Sequence, residues 1–128
     1  MNVIRTTAPV VTVPSEEAAD TIKLYEQLYR QQARAQLKNP AGTLDLTLIG
    51  PMLVIAGAPA ALAPRRDLKA TLVVGNLDDS RRFLLAHDCT LIEDIAEGPM
   101  AAGVPIGRFL FARHPDGSLV EYFEPNRA

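Results

Sequence analysis

The stretch HPDGSLVEYFEP, residues 114–125, sets one carboxylate, Glu121, among Leu119, Val120, Tyr122 and Phe123. Strand alternation puts Leu119, Glu121 and Phe123 on one face and Val120 and Tyr122 on the other. A carboxyl group on an apolar strand face must find a partner or shift its pKa upward. Such a group suits two tasks: anchoring the polar end of a bound molecule, or moving a proton as general acid or base. In the strand KATLVVG, residues 69–75, Lys69, Thr71 and Val73 share a face, and Ala70, Leu72 and Val74 share the other. Other chemistry-bearing residues are sparse. His87 falls at the end of a helix and His114 at a turn, and the single Cys89 follows a helix as a small buried residue.

The elements that position these residues come in two sets. PVVTV (9–13) is β-branched and reads as a strand. PSEEAADTIKLYEQLYRQQ follows as a helix, with Ser15 as N-cap, Glu16 and Glu17 at its positive end, and a stripe of Ile22, Tyr25 and Tyr29 with Leu28 beside it. ARAQLK, LDLTLIG and MLVIAG are short strands broken by NPAG and GP turns. APAALAPRR (58–66) reads as a linker, with Arg65 and Arg66 as its surface residues. The order then restarts with the strand KATLVVG, the helix NLDDSRRFLLAHD, the strand CTLIEDIA, a loop at 98–107, and a hairpin of RFLFARH and LVEYFEP around a PDGS turn. The pattern is strand, helix, three strands, twice. It predicts an α+β fold of two tandem βαβββ modules, at about 8–57 and 68–125, joined by a linker at about 58–67 within a single domain spanning 1–128. The modules form a curved mixed sheet with helices on its outer face. Superposing the halves on Gly50 and Gly117 pairs Val54 with Glu121 and Val10 with Lys69.

Composition limits the function classes. The chain has 128 residues, 48% hydrophobic and 22% charged, and a net charge of −2. Without a basic block, neither nucleic acid nor an anionic membrane is an expected partner. The opening MNVIRTTAPVVTVPS lacks the apolar core of a signal peptide, and no run reaches the length of a membrane span. A single cysteine suits a reducing compartment. The expectation is a cytoplasmic protein.

From about Val10 to Pro125 the chain resembles the vicinal oxygen chelate superfamily, the glyoxalase, bleomycin-resistance and dioxygenase group. HPDGSLVEYFEP is similar to its closing turn and Glu-bearing last strand, LVVGNLDDSRRFL to its fifth strand and helix, and IKLYEQL to its first-helix segment. Metal-using members place four ligands on the first, fourth, fifth and eighth strands. Those places fall here on Val10, Val54, Lys69 and Glu121, of which only Glu121 is a good donor. The resemblance therefore implies a metal-independent, cofactor-free protein. It also implies that Lys69 and Glu121 face the same concave cleft. There, either an ion pair with Lys69 stands in for the metal's charge, or Glu121 is half-solvated and Lys69 extends its ammonium to water. With the last turn at Pro115–Ser118, Arg108, Leu110 and Ala112 join that face. The expected wall is Thr12, Val54, Lys69, Thr71, Leu110, Glu121 and Phe123, with Met52 and Val10 nearby and Arg108 placed to meet an anionic ligand.

Two functions follow from the resemblance. One is binding of a small organic molecule in an apolar cleft, for sequestration or antibiotic resistance. The other is a cofactor-free isomerase, lyase or cyclase with Glu121 as catalytic acid or base. Family members usually form homodimers, so a homodimer is expected here.

Overall fold

A computed structural model describes residues 3–6 and 9–126. The first module comprises β2 (Val10–Pro14), α1 (Ala18–Tyr29), β3 (Ala35–Lys38), β4 (Leu44–Ile49) and β5 (Met52–Gly57). The second comprises β6 (Leu68–Val74), α3 (Leu77–Ala86), β7 (Thr90–Glu97), β10 (Gly107–Arg113) and β11 (Leu119–Pro125). Three further elements complete the chain: β1 (Val3–Thr6), the short helix α2 (Pro59–Leu62), and the small hairpin of β8 (Met100–Ala101) and β9 (Val104–Pro105). The α+β class and the paired βαβββ modules are as expected.

Hydrogen bonding divides the strands into two mixed sheets, ordered β2-β5-β4-β3-β8-β9 and β1-β6-β11-β10-β7. Each has one parallel pair, β2 with β5 and β6 with β11, so the repeat extends to strand direction. Two segments cross between modules. β1, which the sequence did not suggest, pairs with β6 at the edge of the second sheet. The segment 98–107, expected as a loop, carries β8 and β9 back to the first sheet, where Met100 pairs with Lys38.

Each helix covers one face of its sheet. In α3, Leu77, Ser80 and Leu84 are buried, and Leu77 and Leu84 pack with Leu110, Ala112, Val120 and Tyr122. Asn76 caps this helix, its Oδ1 accepting from the amide of Asp79 at 3.1 Å, and Asp78 and Asp79 suit its positive end. Helix α1 packs on β4 and β5. Ile22, Tyr25 and Tyr29 are half-buried, whereas Leu24 and Leu28 are exposed. Ser15 does not cap it; residues 15–17 form a 3-10 turn, and the helix starts without a side-chain cap. Tyr29 lies over Gly50, where a Cβ would fall 3.3 Å from the ring and φ is +52°. Glycine satisfies both demands at this tight β4–β5 turn.

The expected linker is partly helical. Pro59 opens α2 within its first turn, as proline's fixed φ allows. Leu62 is buried with Leu44 and Ile55, which anchors the segment to the first sheet. A 3-10 turn follows at Ala63–Arg65. Among the described residues, no helix is long and apolar enough to cross a membrane.

Candidate functional site

The face of each sheet away from its helix borders a cavity of about 560 Å³. The first module supplies Leu46, Leu48, Leu53 and Ile55, with Arg34 and Asn39 among the polar groups. The second supplies Leu68, Thr71, Val73, Phe109, Glu121 and Phe123. Pro99 and Ile106, flanking the small hairpin, line it as well, so the segment expected to be a loop forms part of the wall. The volume and the mostly apolar lining suit a small organic molecule.

Among the described residues, Glu121 is the only acidic side chain that lines this cavity. It is fixed from two sides. Across the parallel β6–β11 ladder it pairs with Thr71, whose Oγ1 donates to Glu121 Oε1 at 2.6 Å. Across the antiparallel β10–β11 ladder it stands opposite Phe111. The guanidinium of Arg65 lies over that ring, 4.2 Å from its centroid. Burial pushes the Glu121 carboxyl above the usual carboxylate range. The Thr71 bond and the Arg65 charge oppose that shift, and Glu93 adds to it. The net effect is a carboxyl group that holds its proton more firmly than a solvated one.

Several expected wall residues lie elsewhere. Lys69 is exposed, and the ion pair expected between it and Glu121 is not formed; Thr71 and Arg65 are the polar neighbours instead. The ladder explains why. Leu119 pairs with Leu68, but Val120 pairs with Ala70, so Lys69 is the extra residue of a bulge. A bulge inverts the alternation on one side of it. Leu68 and Thr71 therefore both line the cavity, while the ammonium of Lys69 stays in water.

Leu110 and Arg108 are also corrected. The hairpin pairs Arg113 with Leu119, so its turn runs from His114 to Ser118 rather than from Pro115. One added residue shifts the register by one and exchanges the faces. Phe109 then lines the cavity, and Leu110 is buried against α3. Arg108 lies outside the cavity, paired with Glu124 at 2.8 Å and Asp78 at 3.2 Å near the start of α3.

Val54 is buried on the face opposite Leu53 and Ile55, with Met52 and Ala56, beneath α1. The superposition on Gly50 and Gly117 aligns the strand starts Met52 and Leu119, but the two face opposite ways: Leu119 packs with Phe109 and Phe111, whereas Met52 shares the buried face of Val54. Ile49 pairs with Met52 around Gly50-Pro51, whereas Arg113 pairs with Leu119 around the longer turn. Thr12 pairs with Ile55 on β2 and is half-buried, but it is not part of the lining; Val10 packs near Leu53 and Ile55. Thr71, Glu121 and Phe123 are the expected residues that the fold does bring together at the cavity.

The expected wall lacked Phe109, Phe111 and Arg65, and also the lining residues Arg34, Leu53, Ile55 and Leu68. Phe109 and its edge-on neighbour Phe111, with ring centroids 5.6 Å apart, would have followed from counting the turn from His114. Arg65, expected on the linker surface, lies instead at the cavity wall. The signal was the apolar Leu62 after a helix-starting Pro59, which fixes this segment against the core.

The four superfamily ligand places do not fit a divalent metal here. β2 contributes no residue to the lining, and the cavity-facing residues at the places on the other three strands are Leu53 and Ile55 on β5, Leu68 and Thr71 on β6, and Glu121 on β11. One carboxylate and one hydroxyl among leucine and isoleucine do not complete a coordination shell. Among the described residues, no three His, Cys, Asp or Glu side chains gather as a metal site.

No protein-family model and no curated protein matches this chain. Among solved structures it is similar to an uncharacterized protein from Methanosarcina mazei, at 30% identity and a TM-score of 0.77, covering 100% of this chain and 97% of that one. It is also similar to methylmalonyl-CoA epimerase from Mycobacterium tuberculosis, at 19% identity and a TM-score of 0.70, covering 98% and 90%. A mutant of 4-hydroxymandelate synthase from Streptomyces coelicolor matches at 13% identity and a TM-score of 0.66, covering 97% of this chain and 49% of that one. The last two belong to the vicinal oxygen chelate superfamily, and likeness at their level of identity shows the fold.

Proposed function

Since the chain belongs to the family of the Methanosarcina mazei protein and has the vicinal oxygen chelate fold, we propose that it is a metal-independent member of that superfamily that binds a small organic molecule. The observation that carries this reading is the cavity itself. Leucine, isoleucine, valine and phenylalanine enclose about 560 Å³ around one carboxyl group, Glu121. The apolar wall supplies affinity, and Glu121 with Thr71 fixes the orientation of a polar group. Sequestration requires no more than this. The expected homodimer belongs to the same proposal.

A second reading rests on the proton affinity of Glu121. A carboxyl group raised by burial is suited to general acid or base work. In a cofactor-free isomerase, lyase or cyclase, Glu121 would take a proton from a carbon acid and return it, with Arg65 supporting the negative charge that forms. Similarity to an epimerase supports this reading only through the shared fold.

Native mass spectrometry of freshly isolated protein, with metal analysis of the same sample, tests the binding reading. The expected result is an organic adduct released by solvent extraction and lost in Glu121→Leu, which removes the polar group from the wall. A stoichiometric divalent metal whose removal abolishes binding would contradict it. Incubating the extracted molecule with the protein in deuterated water separates the two readings. Glu121-dependent deuterium incorporation at carbon favours catalysis, and binding without exchange favours sequestration.

A further inference from the structure

We infer that the cavity takes an organic anion, a carboxylate with an apolar body, and that Arg65 receives its charged end beside Glu121; this rests on the binding reading above. Arg81, Arg82, Arg108 and Arg113 each bind a carboxylate of the protein: Asp94, Asp79, Glu124 with Asp78, and Asp67 respectively. The two arginines that line the cavity differ. Among the described residues, the Arg34 guanidinium bonds only the carbonyl oxygen of Gly50, and the Arg65 guanidinium has no ion pair or hydrogen bond. The lining thus carries two cationic side chains against one carboxyl group. Asn39, the remaining amide in the wall, is already used: it donates to Thr43 Oγ1 and accepts from the Leu44 amide.

Arg65 is half-buried, with its Cζ 4.2 Å from the centroid of the Phe111 ring. A guanidinium held over an aromatic ring keeps N–H donors that can grip a carboxylate with two parallel bonds. Phe111 is the cross-strand partner of Glu121, so the bound anion would lie next to that side chain. An ionised Glu121 would repel it, whereas a protonated Glu121 would donate to it. Oε1 already accepts from Thr71, which leaves the proton to Oε2. The groups acting on Glu121 are Thr71 from β6, Arg65 from the segment after α2, and Glu93 from β7. Arg65 favours the ionised form and Glu93 opposes it. Adding an anion beside Arg65 removes much of the Arg65 effect, so binding takes up a proton.

Isothermal titration calorimetry with octanoate, octanol and octylamine tests this. Run on the full chain in two buffers of different ionisation enthalpy, it should show octanoate binding about tenfold or more tightly than octanol, as a charge-assisted bond implies, with proton uptake. Arg65→Met should remove that preference and leave octanol binding in place. Arg65→Lys should keep part of it, and the octanol signal reports that each variant is folded. Equal affinity for octanoate and octanol, or tighter binding of octylamine, would overturn the anion assignment while leaving the binding reading intact. If none of the three binds, both the assignment and the binding reading fall.

Discussion

Thr71 donates a 2.6 Å hydrogen bond to Glu121 across the parallel β6–β11 ladder, joining the two polar side chains of the second module's cavity face. Thr71→Val keeps the shape and removes the donor. A hydrogen bond to a charged group contributes about 1.5–3 kcal/mol, so the variant should lose about that much stability at neutral pH. The Glu121 carboxyl should titrate higher still, because the bond lowers its pKa. Carbon-13 NMR of the glutamate carboxyls, with denaturant melts, reads both effects. An unchanged Glu121 titration would show that the bond does not form in solution.

Glu121 also imposes a pH dependence. Its folded pKa lies above the ordinary 4.5. The folded state therefore holds its proton where the unfolded state has released it. The stabilisation is fully present below about 4.5 and is lost as pH rises through the folded pKa. Glu121→Gln removes this slope. Its stability relative to the unsubstituted protein should increase from acid to neutral pH, as thermal melts across that range would show. A constant difference between the two melting curves would contradict a raised pKa.

Lys69 and Arg108 lie outside the cavity. Lys69→Met should leave octanoate affinity unchanged within about twofold, because an exposed cation at this distance is screened. Arg108→Met should leave it equally unchanged while destabilising the fold, since Glu124 and Asp78 lose their shared partner. Calorimetry on both variants decides the point. A marked loss of affinity in Lys69→Met would restore the ion pair that the bulge rules out.

Leu110 is fully buried against α3. Leu110→Ala should cost about 2–5 kcal/mol through lost burial and a cavity beneath the helix. At temperatures where the variant stays folded, the ligand preference should be retained. A variant of near-native stability with altered ligand preference would place Leu110 back on the cavity face.

The architecture was legible because it is written in repetition. Two runs of strand, helix and three strands appear in KATLVVG, NLDDSRRFLLAHD and their first-half counterparts, and each helix carries an apolar stripe. Glu121, Thr71 and Phe123 were legible for the same reason, since alternation within β11 and within the later part of β6 is regular. The remainder of the site depended on single-residue offsets. The bulge at Lys69 and the extra residue in the His114–Ser118 turn each invert a face. An inverted face exchanges Leu110 for Phe109 and Lys69 for Leu68 with no change in composition. Arg65 escaped notice because its position depends on Leu62, fifty-nine residues from Glu121, docking a proline-rich segment onto the other module. β1 and the β8–β9 hairpin are short, and pairing with a distant strand, not propensity, makes them strands.

The most direct measurement is chemical-shift mapping of the isotopically labelled protein titrated with octanoate. The account predicts shifts concentrated at Leu53, Ile55, Thr71, Phe109 and Phe123 and at the Arg65 side-chain Nε–H, with Lys69 and Arg108 unmoved. Shifts centred on Arg108 and Asp78, or spread over the outer faces of the helices, would contradict it.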